Sequence, residues 1–199
     1  MRVAEVTYLV RMRTILRPAA AVVVLVAALA ATACTPAPQP PRTPAPSSTP
    51  LFASDEEALA AAEEAYAAYQ AVEDQILAEG GIGGDRIQPY ATREALQAAI
   101  EGFESYRLNG YHSVGSTGFD FIGLQSNSLG TDGGNDAVAA YVCLDFSQSD
   151  VLDANGNSVV REGRPLRQEF EVSFDKGTDG GTIVLASRNP WNGNDTCSA

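Results

Sequence analysis

Residues 35 to 50 carry seven prolines among Thr, Ser, Ala, Gln and one Arg, and they divide the chain. Proline withholds the N–H that helices and sheets require, and this composition buries too little apolar surface to offset the entropy of ordering it. A packed core must therefore form elsewhere. The residues from 51 onward are about what one domain takes, roughly 100 to 150. The proline stretch reads as a disordered spacer: such chain extends about 3.1 Å per residue, so it can hold a domain on the order of 50 Å from whatever precedes it. Its "TPAPSSTP" is also compatible with an O-glycosylated stalk.

What precedes it is oily. Every residue from Pro18 to Ala33 is Ala, Val, Leu, Pro or Thr, and the run follows Arg11, Arg13 and Arg17 with no acidic residue between Arg11 and Cys34. A basic start and an apolar stretch are the n- and h-regions of an export signal, and the run is shorter than the roughly 20 residues a membrane-spanning helix needs. Met12 opens "MRTILRP", a compact signal start, and is the alternative to Met1 as the true beginning.

The run ends "ATAC", Ala31 to Cys34. This resembles the lipobox of bacterial lipoproteins: an aliphatic residue, two small residues, and a cysteine that takes a diacylglyceryl group and becomes the mature N-terminus. Here alanine stands three before the cysteine, where leucine is usual. The resemblance implies a signal peptide over 1–33, a lipidated Cys34 with linker over 34–53, and an extracytoplasmic domain over 54–199, held at the membrane by acyl chains such as palmitate. Two chains anchor firmly where one binds marginally. Ordinary secretory cleavage after Ala33 and an uncleaved anchor helix are the competing readings.

Charge narrows the partners. From Cys34 onward there are 9 basic and 24 acidic residues, a balance of −15. Such a surface repels phosphate backbones and has no basic stripe, so nucleic acid is excluded as a partner. An anionic bilayer would not attract it by charge either, so any membrane attachment must come from something apolar or covalent. One lysine against twelve arginines points to a GC-rich genome.

Within the domain, Ser54 and Glu57 form a capping box, and apolar positions Leu59, Ala62, Tyr66, Tyr69, Val72 and Ile76 recur at three- and four-residue steps. This predicts a helix from Asp55 to about Ala78, ended by "GGIGGD". Thr92 opens a second helix with Leu96, Ile100 and Phe103 on one side. "YRLNGYHSVGSTGFDFIG" reads as strands and turns. In "AVAAYVCLDFS" the period becomes two, with Val138, Ala140, Val142, Leu144 and Phe146 on one face and Tyr141, Cys143 and Asp145 on the other. "RQEFEVSF" and "TIVLASR" make two more strands joined at "GTDGG". Helices followed by antiparallel strands mean an α+β fold.

That element order, from Asp55 to Cys197, resembles the nuclear-transport-factor-two-like (SnoaL-like) superfamily. "CLDFSQSDVLDANGNSVV" and the terminal "NPWNGNDTC" also resemble actinobacterial lipoproteins. The resemblance implies N-terminal helices wrapped by a curved antiparallel sheet to make a cone with a cavity. No motif maps a superfamily catalytic residue onto this chain.

With Cys34 lipidated, Cys143 and Cys197 remain, and an exported chain meets an oxidising compartment, so they are expected to pair; two free thiols are the alternative. Two cysteines and a distant histidine do not make a zinc site. "DVLDANGNSVVREG" places Asp153, Asn155, Gly156 and Glu162 at calcium-loop positions, but Val151 fills the first, so an Asn-Gly turn is the simpler reading. His112, the one histidine, could serve as a base if Asp120 oriented it, although a structural role is expected. Tyr66, Tyr69, Phe103, Tyr106, Tyr111, Phe119, Phe121 and Trp191 could line a cavity, or simply form core. "GGDRIQP", "GTDGGND" and "GTDGGT" lack the Lys-Ser/Thr of a phosphate cradle and read as turns. Asn194 begins a glycosylation sequon.

No metal, cofactor or catalytic residue is thus expected. The leading expectation is a non-enzymatic, lipid-anchored module that contacts a cell-envelope protein or a small ligand. The alternative is an extracytoplasmic enzyme or carrier for a small apolar molecule. A carrier needs a roomy cavity lined by the aromatics, whereas an interaction module fills its core and exposes an apolar patch.

Overall fold

The computed structural model describes residues 51–127, 136–178, 181–193 and 197. Cys34, the signal segment, the linker and Asn194 lie outside them, as does most of "GTDGGND". Two helices pack on antiparallel sheets, an α+β arrangement. Helix α1 spans Asp55–Ala78 and α2 spans Arg93–Asn109, with a short 3-10 helix, Gly84–Ile87, between them. Among the described residues no helix is long and apolar enough to cross a membrane.

Local chemistry sets the ends of α1. Ser54 accepts from the Glu57 N–H at 3.2 Å, and the Glu57 carboxylate reaches back to the Ala53 N–H at 2.7 Å, one residue before the usual capping-box partner. At the other end the Gly81 N–H bonds to the Ile76 carbonyl and the Gly80 N–H to that of Leu77, a Schellman closure that needs the left-handed backbone glycine supplies. A Cβ on Gly81 would come within 2.0 Å of the Phe103 carbonyl oxygen, so this glycine also lets α2 approach the end of α1.

Six strands follow. β1 (His112–Gly115) pairs with β4 (Ser149–Leu152). β2 (Gly118–Asn127), β3 (Val138–Asp145), β5 (Arg167–Lys176) and β6 (Ile183–Pro190) form an antiparallel sheet in the order β2-β3-β5-β6. The period-two reading of β3 holds: Val138, Ala140, Val142 and Leu144 are fully buried towards the helices, with Val172, Phe174 and Leu185 beside them. Phe146 falls just beyond the strand and is half-buried.

The opposite face of β3 is covered as well. Cys143 is bonded to Cys197, with Cα atoms 5.5 Å apart. Around that bridge, Glu169 accepts from the Cys197 N–H at 2.9 Å and Arg167 Nε donates to its carbonyl at 3.1 Å. Tyr141 and Trp191 stack at 4.2 Å on the same side.

Two expectations about helix faces need correcting. Ile100 is 40% exposed, and the buried side of α2 is Ala95, Ala99 and Phe103, because Ile100 lies one position off the stripe those residues make. On α1, Leu59 and Val72 are only half-buried, while Gln70 and Glu73 are buried among the aromatics.

Candidate functional site

Ala62, Tyr66, Tyr69, Gln70, Glu73 and Ile76 all fall on the inner face of α1 at three- and four-residue steps, so helix geometry carries two polar side chains into the core. Burying a carboxylate is costly unless it is paired and hydrogen-bonded. Glu73 is both. Arg188 Nη2 donates to Glu73 Oε1 at 2.8 Å and Nη1 to Oε2 at 2.9 Å, and the Tyr69 hydroxyl donates to Oε1 at 2.7 Å. Arg188 Nη1 also reaches the Tyr66 hydroxyl at 3.3 Å, and its guanidinium lies 5.4 Å from the centre of the Tyr69 ring.

β6 can deliver that arginine because of a register shift between Ser173 and Phe174. Leu185 faces Phe174 inside, Ser187 faces Ser173 outside, and Ala186 is the extra residue that restores Arg188, opposite Val172, to the inner face. Burial alone would lower the Arg188 pKa, but Glu73 and the two tyrosines outweigh it and hold the guanidinium well above its ordinary value. Burial also raises the Tyr66 and Tyr69 hydroxyls, so both stay protonated and able to donate.

Beside this saturated cluster lies a cleft of about 230 Å³. α1 contributes Gln70, Glu73, Asp74 and Leu77; the β1 side contributes Ser113 and Gly115 to Thr117; β4 contributes Ser149 to Val151. Leu144, Phe146 and Phe170 supply apolar wall, and Tyr106, Arg164 and Arg188 complete the lining. The wall is tight at Gly115, where a Cβ would meet the Gln148 carbonyl oxygen at 1.8 Å.

Polar groups in the cleft are unevenly met. The Tyr106 and Ser113 hydroxyls bond each other at 3.2 Å. Arg164 donates to the carbonyls of Phe146 and Ser149, at 3.2 and 2.9 Å, and stacks on the Phe146 ring. Asp74 accepts from Gln70 Nε2 at 2.9 Å and, weakly, from the Thr117 N–H at 3.4 Å. Burial raises the Asp74 pKa; those two bonds oppose the shift, and the charge of Glu73 adds to it. Gln70 is 5% exposed, and its Oε1 has no hydrogen-bond partner among the described residues. Because carboxylate Asp74 can only accept, the Gln70 nitrogen must face it, and the unmet atom is the oxygen.

The residues singled out in the sequence fare differently. Cys143 and Cys197 come together. His112 begins β1, half-buried, but Asp120 does not orient it: that carboxylate pairs with Arg167 at 2.8 Å. Asp153 accepts from the N–H groups of Asn155 and Asn157, at 2.8 and 2.9 Å, and Leu152 bridges to Ser158, so the segment is the tight turn expected there. Of the eight aromatics considered for a cavity, Tyr106 alone lines this cleft. Tyr66 packs edge-on against Phe119 and Phe121, at 5.0 and 5.8 Å, as part of the hydrophobic core. Gln70, Glu73, Asp74 and Arg188 were not singled out at all. The spacing of Gln70 and Glu73 on the apolar stripe of α1 was the signal that could have found them.

No family model matches this chain, and no curated protein matches it. Among solved structures the chain is similar to the crystal structure of the intermembrane space region of the chloroplast protein ARC6, with a TM-score of 0.44 and 11% identity over 65% of this chain and 95% of that one.

Proposed function

We propose that this chain is a lipid-anchored extracytoplasmic module whose folded domain binds a small ligand in the cleft beside α1. The observation that carries the binding half is the pair of under-used acceptors, Asp74 and Gln70 Oε1, set in a cleft with apolar walls. Apolar enclosure with a few convergent polar groups is the usual composition of ligand sites. The anchoring half rests on the lipobox at Cys34 and the spacer that follows. The cleft between α1, β4 and β6 suits the cone that the superfamily resemblance implies.

A second groove favours the alternative, a carrier of a small apolar molecule. It has a volume of about 290 Å³ and is lined by Phe52, Ala65, Tyr90 and Ile183 among others. The protein-interaction reading draws on Val114 and Leu166, exposed by 41% and 58%, which share one open groove.

Mass spectrometry of protein extracted from its native membrane tests both halves. A denatured chain beginning at Cys34 with added diacylglyceryl mass is the expected covalent result. A further mass, present under native conditions and lost on denaturation, is the expected ligand. An unmodified chain, or one retaining Met12 to Ala33, would overturn the anchor. A native mass equal to the denatured one would count against the ligand.

A further inference from the structure

Resting on the small-ligand reading, we propose that the cleft accepts a primary ammonium group carried on a short apolar body. Several polar groups on its wall are already engaged. Glu73 has both oxygens on Arg188 and one also on Tyr69, so that acid and that base are spent on each other. Arg164 is turned onto two backbone carbonyls and an aromatic ring. Asp150 Oδ1 takes the Val151 N–H and the Ser158 hydroxyl, both at 2.7 Å.

What remains along α1 is acceptor capacity. Gln70 Oε1 has no donor among the described residues, and Asp74 Oδ2 has only the 3.4 Å contact from Thr117. The two side chains lie one helical turn apart, are already joined through Gln70 Nε2, and both line the cleft. A complementary group must bring several donors and no acceptor, and must carry positive charge to balance the Asp74 carboxylate. An ammonium does both. A hydroxyl donates once and leaves the charge unbalanced, and a carboxylate is repelled. Leu77, Leu144, Phe146 and Phe170 give the rest of the ligand an apolar wall.

The test uses the ¹⁵N-labelled full chain in detergent at pH 7 and three probes of equal length: n-butylammonium, n-butanol and butyrate. The backbone amide of Thr117 and the side-chain amide of Gln70 report on the site. Saturable shifts of both signals are expected with n-butylammonium, at an affinity about tenfold or more above that for n-butanol, the margin a charge-assisted hydrogen bond supplies. Asp74→Asn keeps an acceptor for Gln70 Nε2 and should erase that preference; the wild-type probe series decides the matter even if the variant fails to fold. Equal or tighter binding of n-butanol or butyrate at these signals would overturn the ammonium inference and leave the small-ligand reading standing. Silence of both signals to all three probes would overturn both.

Discussion

Glu73 and Asp74 are neighbours on one helix, yet their surroundings differ completely. Glu73 is 7% exposed and meets a bidentate guanidinium and a phenol. Asp74 is half-buried with one good hydrogen bond, one long one, and a neighbouring amide oxygen left unmet. The first arrangement closes on itself and fixes how α1 sits against β6. The second is open on the cleft side and costs stability unless something else completes it. Such a deficit beside a well-satisfied pair is the stability cost expected of the proposed site.

The comparison can be broken most easily from its satisfied side. Arg188→Met leaves Glu73 buried without its cation, and a loss of about 3 kcal/mol is expected in urea unfolding, the low end for a broken buried pair because the Arg188 side chain keeps 25% exposure. Replacing both partners, Glu73→Leu with Arg188→Met, should recover most of that loss, since no charge is then stranded. A double variant as unstable as the single one would mean that Arg188 matters for packing rather than pairing.

A change on the far side of the sheet gives an independent scale. Cys143→Ser removes the bridge to Cys197, whose ends lie 54 residues apart, and should cost about 2 to 4 kcal/mol. An unchanged melting temperature would show that the Arg167 and Glu169 contacts hold the C-terminal segment by themselves. Tyr69→Phe is milder. It removes one donor from Glu73 while Arg188 stays, and about 1 kcal/mol is expected.

Asp74 should behave in the opposite sense. Burial holds its folded pKa above the ordinary 3.8, against the hydrogen bonds from Gln70 and Thr117, with Glu73 adding to the rise and Arg188 opposing it. The folded state therefore holds this proton where the unfolded chain has released it. Its stabilising share is full below pH 3.8 and is lost as the pH rises through the raised folded value. A stability–pH curve of the wild type should decline across that window relative to Asp74→Asn. Parallel curves would mean the carboxylate is not strained by burial.

Much of the scaffold was legible. Ser54 with Glu57, the stripe along α1, the glycine stop and the alternation in β3 are local signals, and each acts over a few residues. The pairing of Cys143 with Cys197 followed from counting only once the lipobox resemblance had given Cys34 to the lipid and the chain to an oxidising compartment. The site was legible only in part, for three physical reasons. Gln70 and Glu73 are polar, so a search for apolar periodicity passes over them even though they sit on the apolar face. Arg188 reaches the inside through the extra residue Ala186, which strict alternation along β6 would contradict. Asp120 has a nearer partner in Arg167, and nothing local to Asp120 announces a pairing 47 residues away.

The most direct measurement of the account compares the thermal unfolding of wild type, Arg188→Met and Asp74→Asn, without added ligand, at pH 7. Arg188→Met should melt well below the wild type, and Asp74→Asn at or above it. If both variants fell by similar amounts, Asp74 would be as structural as Arg188, and the cleft would lose its claim to be a site.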